Sequence, residues 1–132
     1  MPMPDTGQRV ARELYAAATG SDRTSFSIAE DTARNLAAAC DRLVEDLHAA
    51  HAASAPLAEV RGFGELPSGQ ALARGFSAKG REFADTVASF QQTALLFKAA
   101  YLAAGKHFEE AEAANRAALA LDRPDPETPD GH

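Results

Sequence analysis

The chain has 132 residues, a formal net charge of −6 and 45% hydrophobic residues, which is the size of one small domain. The acidic balance argues against affinity for nucleic acid built on neutralising phosphates, and no stretch approaches the roughly 20 consecutive apolar residues of a membrane span. Alanine makes up about half of the apolar fraction, and Val, Ile, Leu and Phe together reach only about 18%, close to the composition of disordered chains. A large private core is therefore not expected.

The first segment, residues 1–24, has neither the basic region nor the apolar region of a secretory signal peptide. Apolar side chains repeat at helical spacing within residues 6–19, and Gly20-Ser21-Asp22 follows as a stop signal. The sequence thus predicts a short helix in this segment. Cys40 is the only cysteine of the chain, so no intrachain disulfide can form.

A first long helix is predicted over residues 27–54. Ser27 and Glu30 have the spacing of a capping box, and Pro56 marks the end. Small and apolar residues recur in a strict 4,3 alternation, which is typical of a coiled-coil seam. The members of this seam are Ala29, Ala33, Leu36, Cys40, Leu43, Leu47, Ala50 and Ser54.

A second long helix is predicted over residues 68–120, with Ser68 as N-cap. Its seam alternates in the same way but is bulkier, and it runs through Gly80, Phe83, Val87, Phe90, Ala94, Phe97, Tyr101, Ala104, Phe108, Ala111, Asn115 and Ala118. Gly75, Gly80 and Gly105 each cost about 1 kcal/mol against alanine and are candidate bends. Around Leu95 to Leu102 the apolar surface extends beyond one stripe, which indicates burial by more than one neighbour.

These elements predict an all-α fold, a long antiparallel hairpin of coiled-coil type that forms domain 25–121. The first helix is too short to cover residues 97–120, so the N-terminal helix is expected to pack there. The hairpin still exposes apolar stripes, and a second hairpin would complete a four-helix bundle as a homodimer or heterodimer. The expected partner interface comprises Leu36, Cys40, Leu43, Leu47, Phe83, Val87, Phe90, Phe97 and Tyr101.

Two further segments are not predicted to be helical. The turn, residues 55–67, carries Leu57, Val60, Phe63 and Leu66 around a Gly-Phe-Gly centre, and it is either a hydrophobic plug for the end of the hairpin or a partner-facing knob. Residues 122–132 alternate prolines with acids, a pattern typical of disorder. This tail is either a solvated end or a recognition segment.

No arrangement of residues indicates catalysis. Glu45 and His48 have the Glu-x-x-His spacing of carboxylate-bridged metal sites, but those sites need two such motifs and the chain has one. His51 is one turn further on, and His107 belongs to the far end of the second helix. Cys40 occupies a seam position, where a free cysteine behaves as a small hydrophobe. We expect no enzyme activity, cofactor or metal, with a single-motif metal-binding bundle as an alternative.

The order of helix, glycine-and-aromatic turn and helix resembles the WXG family of small type VII secretion (ESX) substrates of actinobacteria and related bacteria. The likeness covers most of residues 25–120 and is carried by the turn motif Gly62, Phe63, Gly64, Leu66, Pro67, Ser68 and Gly69, followed by Leu72, Gly75, Phe76 and Tyr101. The resemblance implies synthesis in the cytoplasm, pairing of hairpins into a four-helix bundle, and secretion of the folded protein through a membrane ATPase, without a cleavable signal peptide.

The chain departs from the family pattern at two places. It contains no tryptophan, so Phe63 would stand in the turn, and Gly64 follows it directly. The family's export signal has a tyrosine four residues before an acid, whereas Gly105 follows Tyr101 at that distance. Phe108 and Glu112 have the spacing with a different aromatic residue. The expected function is a non-enzymatic secretion substrate or secretion-associated protein, with a cytoplasmic adaptor or chaperone that is not exported as the alternative.

Overall fold

The computed structural model describes residues 4–20, 26–54, 56, 62 and 64–121. These residues form four α-helices and contain no strand, so the expected all-α class is confirmed. The helices are α1 (Gln8–Thr19), α2 (Glu30–Ser54), α3 (Pro67–Ala104) and α4 (Phe108–Ala120).

Helix α3 is the central element, because each of the other three helices packs against it. Helix α1 runs parallel to α3: Thr6, just before α1, contacts Ser89, and Ala18 near its end packs with Leu102. Helix α2 runs antiparallel to α3, since the Ile28 N–H, just ahead of α2, donates to the last carbonyl of α3 at 3.1 Å.

The prediction of one helix over residues 68–120 is wrong, because the chain reverses after Ala104. The N–H of His107 donates to the Leu102 carbonyl at 2.8 Å and the N–H of Lys106 donates to the Ala103 carbonyl at 2.9 Å, a Schellman motif with Lys106 at φ 70°. Helix α4 then returns along α3, and its Ala118 carbonyl accepts a bond from Gln92. The predicted seam beyond Ala104 therefore belongs to a separate helix.

The other boundaries differ less. Helix α2 starts at Glu30, so the predicted first turn, residues 27–29, lies outside the helix. Gly62 and Gly64 have φ of 98° and 82°, the left-handed conformations that a glycine turn allows. The predicted apolar residues Leu57, Val60 and Phe63, and the predicted tail 122–132, lie outside the described residues.

The core lies around the C-terminal half of α3. Two clusters form it: one joins α1, α2 and α4 to the end of α3, and the other joins α1 and α4 to Leu96. With 12 and 13 residues, α1 and α4 are each about 20 Å long, roughly a third of the length of α3, which has 38 residues. The N-terminal half of α3 therefore extends past both of them, with α2 beside it.

Candidate interaction surface

An aromatic row runs along α3 and consists of Phe76, Phe83, Phe90 and Phe97. Seven residues are close to two turns of helix, so the four rings project from one side of α3. Leu72 precedes the row by one turn. The first three rings and Leu72 are between 45% and 55% exposed, which is unusual for large apolar side chains that follow one another on one helix.

Leu43 of α2 belongs to the same side of the hairpin. Arg34 binds Glu110 of α4 at 3.1 Å and so marks the side of α2 that faces α4. Asp41, which binds Lys98 of α3 at 2.7 Å, is seven residues after Arg34 and lies on the same side. Leu43 follows Asp41 by two residues, a rotation of about 200°, and therefore lies on the side away from α4.

The aromatic row also lies on the side of the molecule away from α4. Gln92 faces α4, because its side chain donates to the Ala118 carbonyl at 3.0 Å. Phe90 precedes Gln92 by two residues, again a rotation of about 200°, so the row lies away from α4. We call the exposed apolar residues on this side of the hairpin the apolar surface: Leu43, Leu72, Phe76, Phe83 and Phe90.

The apolar surface is large enough to matter for association. A phenylalanine contributes roughly 200 Å² when it is fully buried, so the three half-exposed rings leave about 300 Å² of aromatic area accessible. The two leucines add to this. A standard interface buries about 800 Å² per partner, of which a little over half is apolar. The apolar surface therefore supplies most of the apolar part of one such interface.

The fourth ring of the row, that of Phe97, is more buried than the other three. Phe97 is half-buried and packs against the cluster that includes Ala11 of α1. Its ring centroid is 5.9 Å from that of Tyr101, which in turn makes an edge contact of 6.5 Å with Phe26. Helix α1 and the segment after it thus cover the C-terminal end of the row.

A group of buried polar side chains fastens the start of α1 to α3. We call it the polar lock, and its members are Thr6, Gln8, Ser89, Gln92 and Thr93. The Thr6 hydroxyl lies 2.7 Å from the Ser89 hydroxyl and 3.0 Å from that of Thr93. The Gln8 amide donates to Ser89 Oγ at 2.9 Å and to Gln92 Oε1 at 3.3 Å. Each of these buried groups has a partner, as the cost of desolvation demands.

Gly7 is part of the same arrangement. It begins α1 with φ 115°, a left-handed conformation that favours glycine. A Cβ at this position would come within 3.1 Å of the Thr93 methyl group. The polar lock was not predicted from the sequence. Its signal is the spacing of Ser89, Gln92 and Thr93, which puts three polar residues on one face of the most apolar stretch of the chain.

The structure divides the nine predicted interface residues into three groups. Cys40 and Val87 are buried within the chain. Leu36, Leu47, Phe97 and Tyr101 are partly buried. Leu43, Phe83 and Phe90 are the exposed members, and they belong to the apolar surface.

Cys40 sits in a closed environment between α2 and α3. Burial raises the pKa of its thiol, the neighbouring Asp41 carboxylate raises it further, and Lys98 opposes the shift. A thiol held protonated in this way is a poor nucleophile. Its geometry therefore suits packing rather than chemistry.

The residues of the predicted export signal do not come together as one exposed motif. Tyr101 is half-buried in the aromatic contacts described above. Phe108 begins α4 and is partly exposed, and Glu112 lies one turn later, where it binds Arg116 at 3.1 Å. Of the turn motif, Leu66, Pro67 and Ser68 are exposed and Gly69 is buried, while Phe63 is outside the described residues.

The histidines form no metal centre within the described part of the chain, where no group of three potential ligands is found. Glu45 and His48 are both exposed on α2. His107 Nδ1 lies 3.3 Å from Arg34 Nη2 and 3.9 Å from Glu110 Oε1, and its Nε2 is buried without a hydrogen-bond partner.

Comparison with known proteins adds no relative: no family model, curated protein or solved structure matches the chain. Among the helices of the described residues, none is both long enough and apolar enough to cross a membrane. The function of the protein is therefore inferred from the geometry of the chain itself.

Proposed function

We propose that this protein is a non-enzymatic helical interaction protein whose apolar surface docks on a second copy of the chain. The observation that carries this proposal is the run of half-exposed rings along α3, beside a half-exposed Leu43. Water contact with this much aromatic area is unfavourable, and a helical partner packed against the hairpin removes it.

A second copy fits the surface by symmetry. Phe76 and Phe90 are each seven residues from Phe83, so an antiparallel pairing of two α3 helices about Phe83 brings Phe76 of each copy opposite Phe90 of the other. The stretch of α3 before Ser89, about 20 residues, has the same length in both copies. The two α1 helices then lie at opposite ends of the pair, each beside the start of the partner's α3, because residues 89–97 of one copy lie opposite residues 69–77 of the other.

The charges next to the surface favour the same arrangement. Lys79 is paired with Glu82 on its own helix at 3.4 Å, and the Asp41–Lys98 and Arg34–Glu110 pairs lie on the side that faces α4. These ion pairs are made within one copy, so pairing of two apolar surfaces does not need to break them.

The likeness to WXG proteins supports a narrower proposal, that the dimer is a type VII secretion substrate handled by the secretion ATPase. Its support is the order of a helix, a glycine-containing turn and a second helix in the sequence, together with the turn motif. A related hairpin as the partner, or a cytoplasmic adaptor that is not exported, is the alternative. The narrower proposal is supported if the intact source strain exports the protein and export stops when the ATPase is deleted. It is contradicted if the intact strain retains the protein.

A photo-crosslinking experiment tests the docking proposal. A benzophenone derivative of phenylalanine replaces Phe83 in the full chain, and the matched control carries it at Leu119 of α4, which is 45% exposed and lies outside the apolar surface. Irradiation in the producing cells is expected to give an adduct of two copies from position 83 only. An adduct of position 83 with a different protein would show that the partner is heterologous and not a second copy. Equal yields from both positions would contradict the docking surface.

A further inference from the structure

We propose that α1 is a displaceable strap that covers the C-terminal continuation of the aromatic row and competes with the partner helix for Phe97 and Tyr101. This inference rests on the proposed function. The aromatic row does not end at Phe90, because Phe97 continues it at the same spacing and Tyr101 follows one turn later. Phe97 and Tyr101 lie beneath α1 and the segment that follows it, whereas Phe83 and Phe90 are 49% and 45% exposed.

The attachment of α1 is built mainly from exchangeable contacts. Its buried residues are Gln8, Ala11 and Ala18, so the helix buries one polar side chain and two of the smallest apolar ones. Val10 is more than half exposed, and Tyr15 packs only partly on the core. Hydrogen bonds of the polar lock can be replaced by bonds to water, and two methyl groups bury little area.

The connection of α1 to the rest of the chain allows it to leave. Residues 20–29 separate α1 from α2, whereas α4 follows α3 after three residues that are tied by the Schellman bonds. Elements with few buried apolar contacts open at lower free energy than the global fold. Release of α1 therefore does not require separation of α2, α3 and α4.

Release adds Phe97 and Tyr101 to the exposed part of the row, which otherwise spans 15 residues from Phe76 to Phe90. From Phe76 to Tyr101 the row spans 26 residues, about 38 Å of helix. A partner helix that follows the whole row must occupy the place of α1 on Phe97. In the antiparallel α3 pair about Phe83, the start of the partner's α3 does so, because Gly69 of one copy lies opposite Phe97 of the other.

A reversible disulfide tests the strap. The Thr6 and Ser89 side-chain oxygens are 2.7 Å apart, so Thr6→Cys with Ser89→Cys in a Cys40→Ala background is expected to close on oxidation and hold α1 down. Hydrogen exchange of the reduced full chain is expected to show α1 amides exchanging at least tenfold faster than those of α4. Light scattering over a concentration series is expected to show dimerisation at least tenfold weaker in the oxidised protein than in the reduced one. The Cys40→Ala protein, with and without oxidant, is the control.

The outcomes separate this proposal from the docking surface itself. If α1 exchanges only by global unfolding, or if the closed disulfide leaves dimerisation unchanged while Phe83→Ser with Phe90→Ser abolishes it, the strap is overturned and the docking surface stands. If the reduced protein and the control do not dimerise at all, the proposed function fails and the strap fails with it.

Discussion

Phe90 and Phe97 lie seven residues apart on one side of α3, but only Phe97 is packed beneath α1. The boundary between the covered and the open part of the row coincides with the polar lock, where Ser89 and Thr93 bind Thr6. Helix α1 thus ends its apolar contacts where the polar ones begin. This arrangement keeps Phe97 inside the chain and leaves Phe83 and Phe90 about half exposed.

The polar lock is expected to contribute to stability through Gln92. This side chain is 1% exposed and links Gln8 of α1 to the Ala118 carbonyl of α4. Gln92→Leu removes the bond between Gln92 and Gln8 and the side-chain bond that the Ala118 carbonyl accepts. Because Gln8 keeps its bonds to Ser89 and the Ala118 carbonyl keeps its backbone bond from Leu121, we expect the free energy of unfolding to fall by about 1 kcal/mol. Urea denaturation measures the change, with Gln91→Leu as the neighbouring control. Equal effects of the two substitutions would show that the network contributes nothing.

The close approach of α3 to α2 at Gly105 gives a second prediction. A Cβ at Gly105 would collide with Ala33 Cβ, and the backbone there has an ordinary φ of −89°, so the effect of Gly105→Ala is steric. We expect a loss of about 2 kcal/mol. Adding Ala33→Gly should restore most of this loss after its own cost is subtracted in a double-mutant cycle.

Gly75→Ala is the matched control for that cycle. Gly75 lies in α3 with nothing within 4 Å of an added Cβ, so alanine there should stabilise the protein by up to about 1 kcal/mol through helix propensity. Thermal unfolding compares the variants. Destabilisation by both glycine replacements, or no rescue by Ala33→Gly, would contradict the collision.

The buried thiol predicts a pH dependence. Burial raises the pKa of Cys40 in the folded protein, so the unfolded chain loses this proton at lower pH than the folded one. Its contribution to stability is complete below the ordinary thiol pKa and is lost as the pH rises through the raised value. The urea midpoint of the native protein should therefore fall more between pH 7 and pH 10 than that of Cys40→Ala. A parallel decrease in both proteins would contradict this.

Much of the helical content was predictable, because long amphipathic repeats and prolines mark helices in the sequence alone. The 4,3 alternation was less informative about which face of each helix is buried. Gly80, Val87 and Phe83 belong to one predicted seam, yet Gly80 and Val87 are buried and Phe83 is half exposed. Residues three positions apart on a helix are about 60° apart around its axis. The two alternating sets of one seam therefore have different neighbours, and the set of Gly80 and Val87 is buried while that of Phe83 is exposed.

The end of α3 shows a second limit. Gly105 was predicted as a candidate bend, but the left-handed residue of the Schellman motif is Lys106. This position is usually a glycine, so a lysine gives no sequence signal for it. The polar lock was missed because glutamine, serine and threonine in a helix usually face solvent. Their burial follows from the position of α1 on α3, which no local pattern contains.

The most direct test of the central claim is the mass of the purified chain in solution, by light scattering coupled to size exclusion over a range of concentrations. We predict a folded dimer of twice the 13.9 kDa chain mass, and its conversion to a helical monomer by Phe83→Ser with Phe90→Ser, since each ring contributes roughly 2 kcal/mol of apolar burial. Leu119→Ser should leave the dimer intact. A native chain that stays monomeric at all concentrations, with a cooperative melting transition, would contradict the account.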